Sequence, residues 1–95
     1  IIPPDTIYQD VEIDTAGDYL ARFWFKTTDI SKTLTLDLYD GANIYRYFTN
    51  KRANRWYYKT AKVTLTADTW TVQFEANSEW STFYLDSIQL VPYLT

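Results

Sequence analysis

The chain has 95 residues, a mass of 11.3 kDa, a net charge of -3 and an isoelectric point near 4.7. That is the length of one domain, and its acidic balance argues against general binding to nucleic acid or to an anionic membrane. The absence of Cys and His removes disulfides, thiol nucleophiles, imidazole bases and the common zinc sites. No apolar run approaches the roughly 18 residues of a spanning helix, so membrane insertion is not expected. Four Trp, nine Tyr and five Phe accompany only two Gly, and aromatic residues favour pleated, half-buried surfaces. The chain starts at Ile1 and lacks Met, which suggests a processed product or an excised domain, and no targeting pattern is visible.

Residues 1–5 read as an extended lead-in, because Pro3 and Pro4 each remove a backbone donor and disfavour helix before them. The rest, 6–95, reads as a single domain. Ile7, Gln9, Val11 and Ile13 alternate with Tyr8, Asp10 and Glu12, which is a half-buried strand. After Thr15-Ala16-Gly17 the alternation resumes, with Tyr19, Ala21, Phe23 and Phe25 inward and Leu20, Arg22, Trp24 and Lys26 outward. Thr33 to Asp40 repeats it with Leu34, Leu36 and Leu38 inward and Thr35, Asp37 and Tyr39 outward. Asp40-Gly41 is a hairpin signal. A fourth strand over 43–49 leaves its buried face ambiguous, and a basic loop follows. In the long fifth segment Trp56 and Tyr58 oppose the parity of Val63 and Leu65, which calls for a bulge near Thr60–Lys62. Trp70, Val72, Phe74 and Ala76 alternate with Thr71, Gln73 and Glu75. In the last strand Phe83 and Leu85 share one parity while Ile88 and Leu90 share the other, so a second bulge is expected near Asp86-Ser87.

Seven strands at short, even spacing predict an all-β antiparallel sandwich with about seven or eight strands. The expected core is Tyr19, Phe23, Phe25, Leu34, Leu36, Leu38, Trp56, Trp70, Val72, Phe74, Leu85, Ile88 and Leu90.

The ordered series "IYQDVEI", "AGDYLARFWFK", "TLTLDLYDG", "RWYYKTAKVTLTA", "TWTVQFEA" and "STFYLDSIQL" resembles the family 4/9-type carbohydrate-binding modules, which are jelly rolls of the galactose-binding-like superfamily. The shared marks are Gly17-x-Tyr19 with Phe23-Trp24-x-Lys26, Trp56 opening the long strand, and Phe83-Tyr84-Leu85-Asp86-x-Ile88-x-Leu90. Such modules begin with a further strand and loop bearing an Asn-Gly-x-Phe-Glu-like stretch, which this sequence lacks. Abbreviated jelly rolls of this sort occur in phage tail and fibre proteins. The resemblance implies a non-catalytic, surface-binding module of a larger extracellular, secreted or virion protein, with a glycan or polysaccharide and the parent's other domains as partners. It also implies a structural calcium involving Asp86. One carboxylate cannot supply the six to eight oxygens that calcium takes, so the expected role of Asp86 is to accept backbone amides at a bulge, and no cofactor is expected.

Sugar recognition needs flat aromatic faces for C–H surfaces and polar side chains that fork to hydroxyls. The outward positions of the first, third and sixth strands supply both: Tyr8, Asp10 and Glu12; Thr35, Asp37 and Tyr39; Thr71, Gln73 and Glu75. If these strands share a sheet they form one platform, with Tyr39 stacking on a ring, Gln73 forking to hydroxyls, and Asp37 and Glu75 as further acceptors. A solvated sheet face alternates the same residue types. Trp24, Trp80 in the 77–81 loop, and Arg46 are further candidate ligand residues. Six of the nine cations fall between Arg46 and Lys62, interleaved with aromatics, as on single-stranded nucleic-acid platforms. The strand order does not suit an OB-fold, so a solvated or anion-facing loop is expected there and nucleic acid is not a predicted partner. Carboxylate pairs alone, without a deep cleft, do not make a glycosidase, and the chain is not expected to be an enzyme. The alternative to glycan binding is a structural or adhesion sandwich of a virion or cell-surface assembly, whose aromatics meet other proteins.

Overall fold

Alternating apolar and polar residues place one side of each strand against the core and the other in water. The computed structural model describes residues 6–76 and 82–93. Within them lie seven strands: β1 (Thr6–Ile13), β2 (Gly17–Thr27), β3 (Leu34–Tyr39), β4 (Asn43–Phe48), β5 (Tyr57–Leu65), β6 (Asp68–Ala76) and β7 (Phe83–Pro92). They form two antiparallel sheets, a four-stranded one in the order β1-β6-β3-β4 and a three-stranded one in the order β5-β2-β7. The predicted β-sandwich is therefore the observed architecture. No helix among the described residues is long and apolar enough to cross a membrane.

The chain changes sheet at every connection except β3–β4. That exception is the tight hairpin read from Asp40-Gly41. The Asp40 amide donates to the Ala42 carbonyl, and the Asp40 carboxylate accepts the Ala42 amide, both at 3.3 Å. Gly41 sits at φ 116°, a conformation costly for any residue with a Cβ.

Phe23 is the hub of the core. It makes edge-to-face contacts with Phe48 at 4.9 Å and Phe74 at 5.0 Å between ring centroids, so one ring of the three-stranded sheet joins two strands of the other. Phe25 stacks on Phe83 at 5.6 Å. Leu34, Leu36 and Leu38 are fully buried, as their alternation requires. Trp70 is buried too, with its indole N–H satisfied by the Thr66 carbonyl at 3.0 Å. Tyr19, Val72, Leu85 and Leu90 are partly buried and pack on this core.

Two core assignments fail. Trp56 precedes β5 and is exposed, and Ile88 on β7 is exposed as well. Both errors concern parity. The β2–β5 register runs unbroken from Gly17↔Leu65 to Phe25↔Tyr57, so the bulge expected near Thr60–Lys62 does not form. Tyr57, Lys59, Ala61, Val63 and Leu65 consequently share the inner parity, and Trp56 falls outside it. The second expected bulge does form. The β2–β7 register shifts between Arg22 and Trp24, and Ser87 takes φ 53°. The bulge moves Ile88 and Leu90 onto the inner parity, but Ile88 borders an open flank and stays exposed.

The reason is a mismatch of sheet width. At the β4/β5 flank the edges are tied together: the Arg46 guanidinium donates to the Lys62 carbonyl at 3.3 Å, and the Lys59 ammonium donates to the Thr49 carbonyl at 2.9 Å. At the β1/β7 flank the four-stranded sheet overhangs its partner. An open groove of about 360 Å³ runs there, lined by Ile7, Val11, Val72, Phe74, Ile88 and Leu90 with Tyr8 and Gln9.

Candidate functional site

The first, third and sixth strands share one sheet, in the order the candidate platform requires. Registers define its rows. Tyr8 lies opposite Gln73, Gln73 opposite Asp37, and Asp37 opposite Tyr45. The next row is Thr6, Glu75, Thr35 and Tyr47; on the other side lie Asp10, Thr71, Tyr39 and Asn43. Tyr8, Gln73, Asp37, Glu75 and Tyr39 are thus neighbours on one outer face. With strands about 4.8 Å apart, the row from Tyr8 to Tyr45 spans about 14 Å.

The face has aromatic margins and a polar middle. Tyr8 on the β1 edge is 71% exposed, and Tyr39, Tyr45 and Tyr47 are 47%, 46% and 65% exposed. The Tyr45 and Tyr47 rings lie nearly parallel, with interplanar angle 17° and centroids 6.4 Å apart. Between the margins the polar groups are held by one another. The Asn43 side-chain amide donates to both Asp37 carboxylate oxygens, at 2.9 and 3.1 Å. The Gln73 amide donates to Glu75 Oε1 at 2.7 Å, and the Thr71 hydroxyl to Asp10 at 2.8 Å. Asp37 is buried beneath its neighbours despite its outward parity, so it sets the position of Asn43 more than it meets solvent.

The strands β1, β6, β3 and β4 put Asp10, Glu12, Asp37 and Glu75 on this face, and no Lys or Arg among its described outward residues. The accumulated charge acts on Tyr45. Loss of solvent over the covered part of its ring, and then the Asp37 and Glu75 carboxylates, raise its phenol above the ordinary value.

The remaining candidates lie elsewhere. Trp24 is exposed on the outer face of the three-stranded sheet, where its ring meets Tyr58 at 5.4 Å. Arg46 shares the parity of Ile44 and Phe48 and reaches across the flank to β5, away from the tyrosine face. Trp80 lies outside the described residues. Asp86 accepts the Ser87 amide at 2.8 Å, at the bulge. Among the described residues no group of three or more potential metal-ligating side chains gathers.

Tyr45, Tyr47 and Asn43 are the members of the face that sequence reasoning missed. Their strand alternates Ile44, Arg46 and Phe48 against Tyr45 and Tyr47, and both sets look half-apolar. The sequence left the buried face of this strand ambiguous, and Arg46, on the inner parity, serves as an edge tie. No protein-family model matches the chain, and no curated protein matches it.

Proposed function

We propose that the chain is a non-catalytic carbohydrate-binding domain of a secreted, cell-surface or virion protein, and that it takes its glycan on the outer face of the four-stranded sheet. The observation that carries this reading is the row Tyr8–Gln73–Asp37–Tyr45 with Tyr39 and Tyr47 beside it. It sets exposed phenol rings at both margins of a strip of amides and carboxylates. Rings cover the C–H faces of sugars, and Gln73, Asn43 and Glu75 exchange hydrogen bonds with their hydroxyls. The test is a glycan-array screen of the domain, followed by titration of the best ligand against Tyr39→Ala and Gln73→Ala. Binding that survives both substitutions unchanged rejects this face as the site.

A second reading, an adhesion or structural domain of a virion or cell-surface assembly, is favoured by one observation. Exposed aromatics also populate the opposite face, at Trp24, Trp56, Tyr58 and Tyr84. A blank glycan array with retention of the domain by its own parent assembly supports that reading.

A further inference from the structure

We propose that the β4/β5 flank, with the basic loop 49–56 that joins those strands, binds an acidic polysaccharide whose sugars carry carboxylate or sulfate groups. This site is separate from the tyrosine face, where Asp10, Glu12, Asp37 and Glu75 would repel such a chain. Four observations support it. First, charge is segregated along the sequence. Residues 41–67 hold six of the nine cations and none of the twelve acids. Among the described residues the one ion pair is Lys62 with Asp18, at 3.5 Å. Arg46, Lys51, Arg52, Arg55 and Lys59 therefore have no carboxylate partner among those residues, and all but Lys59 are exposed.

Second, the loop is fixed in place. The side-chain amide of the buried Asn50 donates to the Phe25 carbonyl at 3.0 Å, and the Asn54 amide donates to the Thr27 carbonyl at 2.8 Å. Asn54 takes φ 59°, a left-handed conformation that asparagine tolerates. A segment pinned at two points loses less freedom on binding than a free one.

Third, protection of the strand edges accounts for only part of this charge. Arg46 donates to the Tyr45 and Lys62 carbonyls and Lys59 to the Thr49 carbonyl, which blunts the edges of β4 and β5. Lys51, Arg52 and Arg55 lie beyond those ties, and their side chains donate no hydrogen bond within the described residues. Lys51 is close enough to act on Lys59, whose ammonium burial, and then Lys51, hold below its ordinary value.

Fourth, the flank distinguishes among polyanions. The ties at Lys62 and Lys59 stand three residues apart on β5, which is about 10 Å. Cations so spaced suit an extended chain rather than one small anion. An added polypeptide strand would need the edge carbonyls that Arg46 and Lys59 already occupy. Single-stranded nucleic acid needs free ring faces for its bases. Here Lys59 lies over Tyr57 at 5.4 Å and Lys26 over Trp56 at 5.1 Å. A polysaccharide needs only cations at intervals, and these run from Arg46 past Lys59 to the loop.

The test titrates the domain at low salt with dextran sulfate, polygalacturonate, unmodified dextran, poly-glutamate and an oligothymidine. Tryptophan emission reads location, because Trp56 adjoins Arg55 and is exposed. At least one acidic polysaccharide should bind and change the emission, the stronger of the two telling sulfate from carboxylate, while dextran should not. Lys51→Gln, Arg52→Gln and Arg55→Gln together should weaken binding by about tenfold, since exposed ion pairs are individually small. All three positions are exposed, so circular dichroism should show the variant folded. Tyr39→Ala with Gln73→Ala should leave this binding unchanged, which separates its failure from that of the tyrosine face. Absence of binding by both acidic polysaccharides overturns the proposal, as does undiminished binding by the triple variant or loss of binding in the tyrosine-face variant. Equal or tighter binding of poly-glutamate or oligothymidine also overturns it, by giving the flank to an acidic protein or a nucleic acid.

Discussion

The two outer faces of the sandwich are both rich in aromatic rings, yet they use them differently. On the three-stranded sheet the rings are engaged. The Lys26 ammonium sits 5.1 Å from the Trp56 ring centroid and 4.6 Å from that of Tyr84, Trp24 leans on Tyr58, and Lys62 lies over Tyr93 at 4.8 Å. Lys62 also pairs with Asp18 at 3.5 Å, and Arg22 donates to Gln89 at 2.6 Å. On the four-stranded sheet no cation among the described residues covers a tyrosine, and the polar groups between the rings bind one another through short amide and hydroxyl contacts. Cation–π pairs at exposed sites contribute about 0.5–1 kcal/mol each. The rings of the three-stranded face are therefore partly committed to holding that face together. Those of the four-stranded face remain available to a ligand. Exposure alone does not separate the two, since Trp24 and Tyr45 are similarly accessible; what touches the ring does.

The widest separation is expected in paired alanine substitutions. Tyr39→Ala and Tyr45→Ala should each cost about 1–3 kcal/mol in glycan affinity, by analogy with base stacking, and change the urea midpoint little. Trp24→Ala should do the reverse, leaving affinity intact and lowering stability. Equal effects on both faces would erase the distinction. Next in size is Asn43→Ala, which leaves the buried Asp37 carboxylate without its side-chain donor. A hydrogen bond to a charged group contributes about 1.5–3 kcal/mol, and at the margin of the sheet the lower end is expected, read as a shifted denaturation midpoint. Lys26→Met keeps the apolar stem but removes the ammonium from between Trp56 and Tyr84. It should destabilise by about 1 kcal/mol in low salt; no change would mean that stem packing, not charge, holds the rings.

The smallest effect is electrostatic. Tyr45 should ionise above its ordinary value of 10.0 in an ultraviolet titration, and Asp37→Asn should bring it back part of the way. Because its folded value is raised, the associated stability is fully present below that ordinary value and is lost as pH rises through the folded one. Asp18, on the other face, moves the opposite way. The Thr64 hydroxyl, which donates to it at 2.7 Å, and then Lys62 hold its carboxyl below the ordinary 3.8. Its contribution is present above that value and disappears as pH falls through the lowered one.

Much of this was legible before any coordinates. Leucines at every second position of β3 admit one burial pattern, and the strand sequences of β1, β3 and β6 place Tyr39, Gln73 and Tyr8 on one face once those strands share a sheet. The parity switch in "FYLDSIQL" announced the bulge at Ser87, because Phe83 and Leu90 cannot both face inward without an extra residue. The same reasoning failed in β5. Trp56 and Tyr58 were read as inward against Val63 and Leu65, but both aromatics are exposed, while Lys59 takes the inner parity and escapes the core by reaching the Thr49 carbonyl. Burial also lowers its ammonium below the ordinary lysine value, with Lys51 adding to the effect. Arg46 left the buried face of β4 ambiguous for a related reason. A long cationic side chain at a sheet edge carries its charge out of the layer to which its Cβ belongs, so parity locates the stem and not the head. Ile88 was a different failure: its parity was read correctly, but parity does not show that an open groove lies between the sheets at the β1/β7 flank and leaves it exposed.

The location of the tryptophans gives the molecule a built-in optical asymmetry. Of those in the described residues, Trp24 and Trp56 belong to the cation-bearing face and Trp70 is sealed in the core, while the tyrosine face has none. A molecule settling among Tyr8, Tyr39, Tyr45 and Tyr47 perturbs phenol absorbance near 280 nm and leaves the emission of those three indoles almost untouched. One that docks on the opposite side shifts or quenches the emission of Trp24 and Trp56 at once.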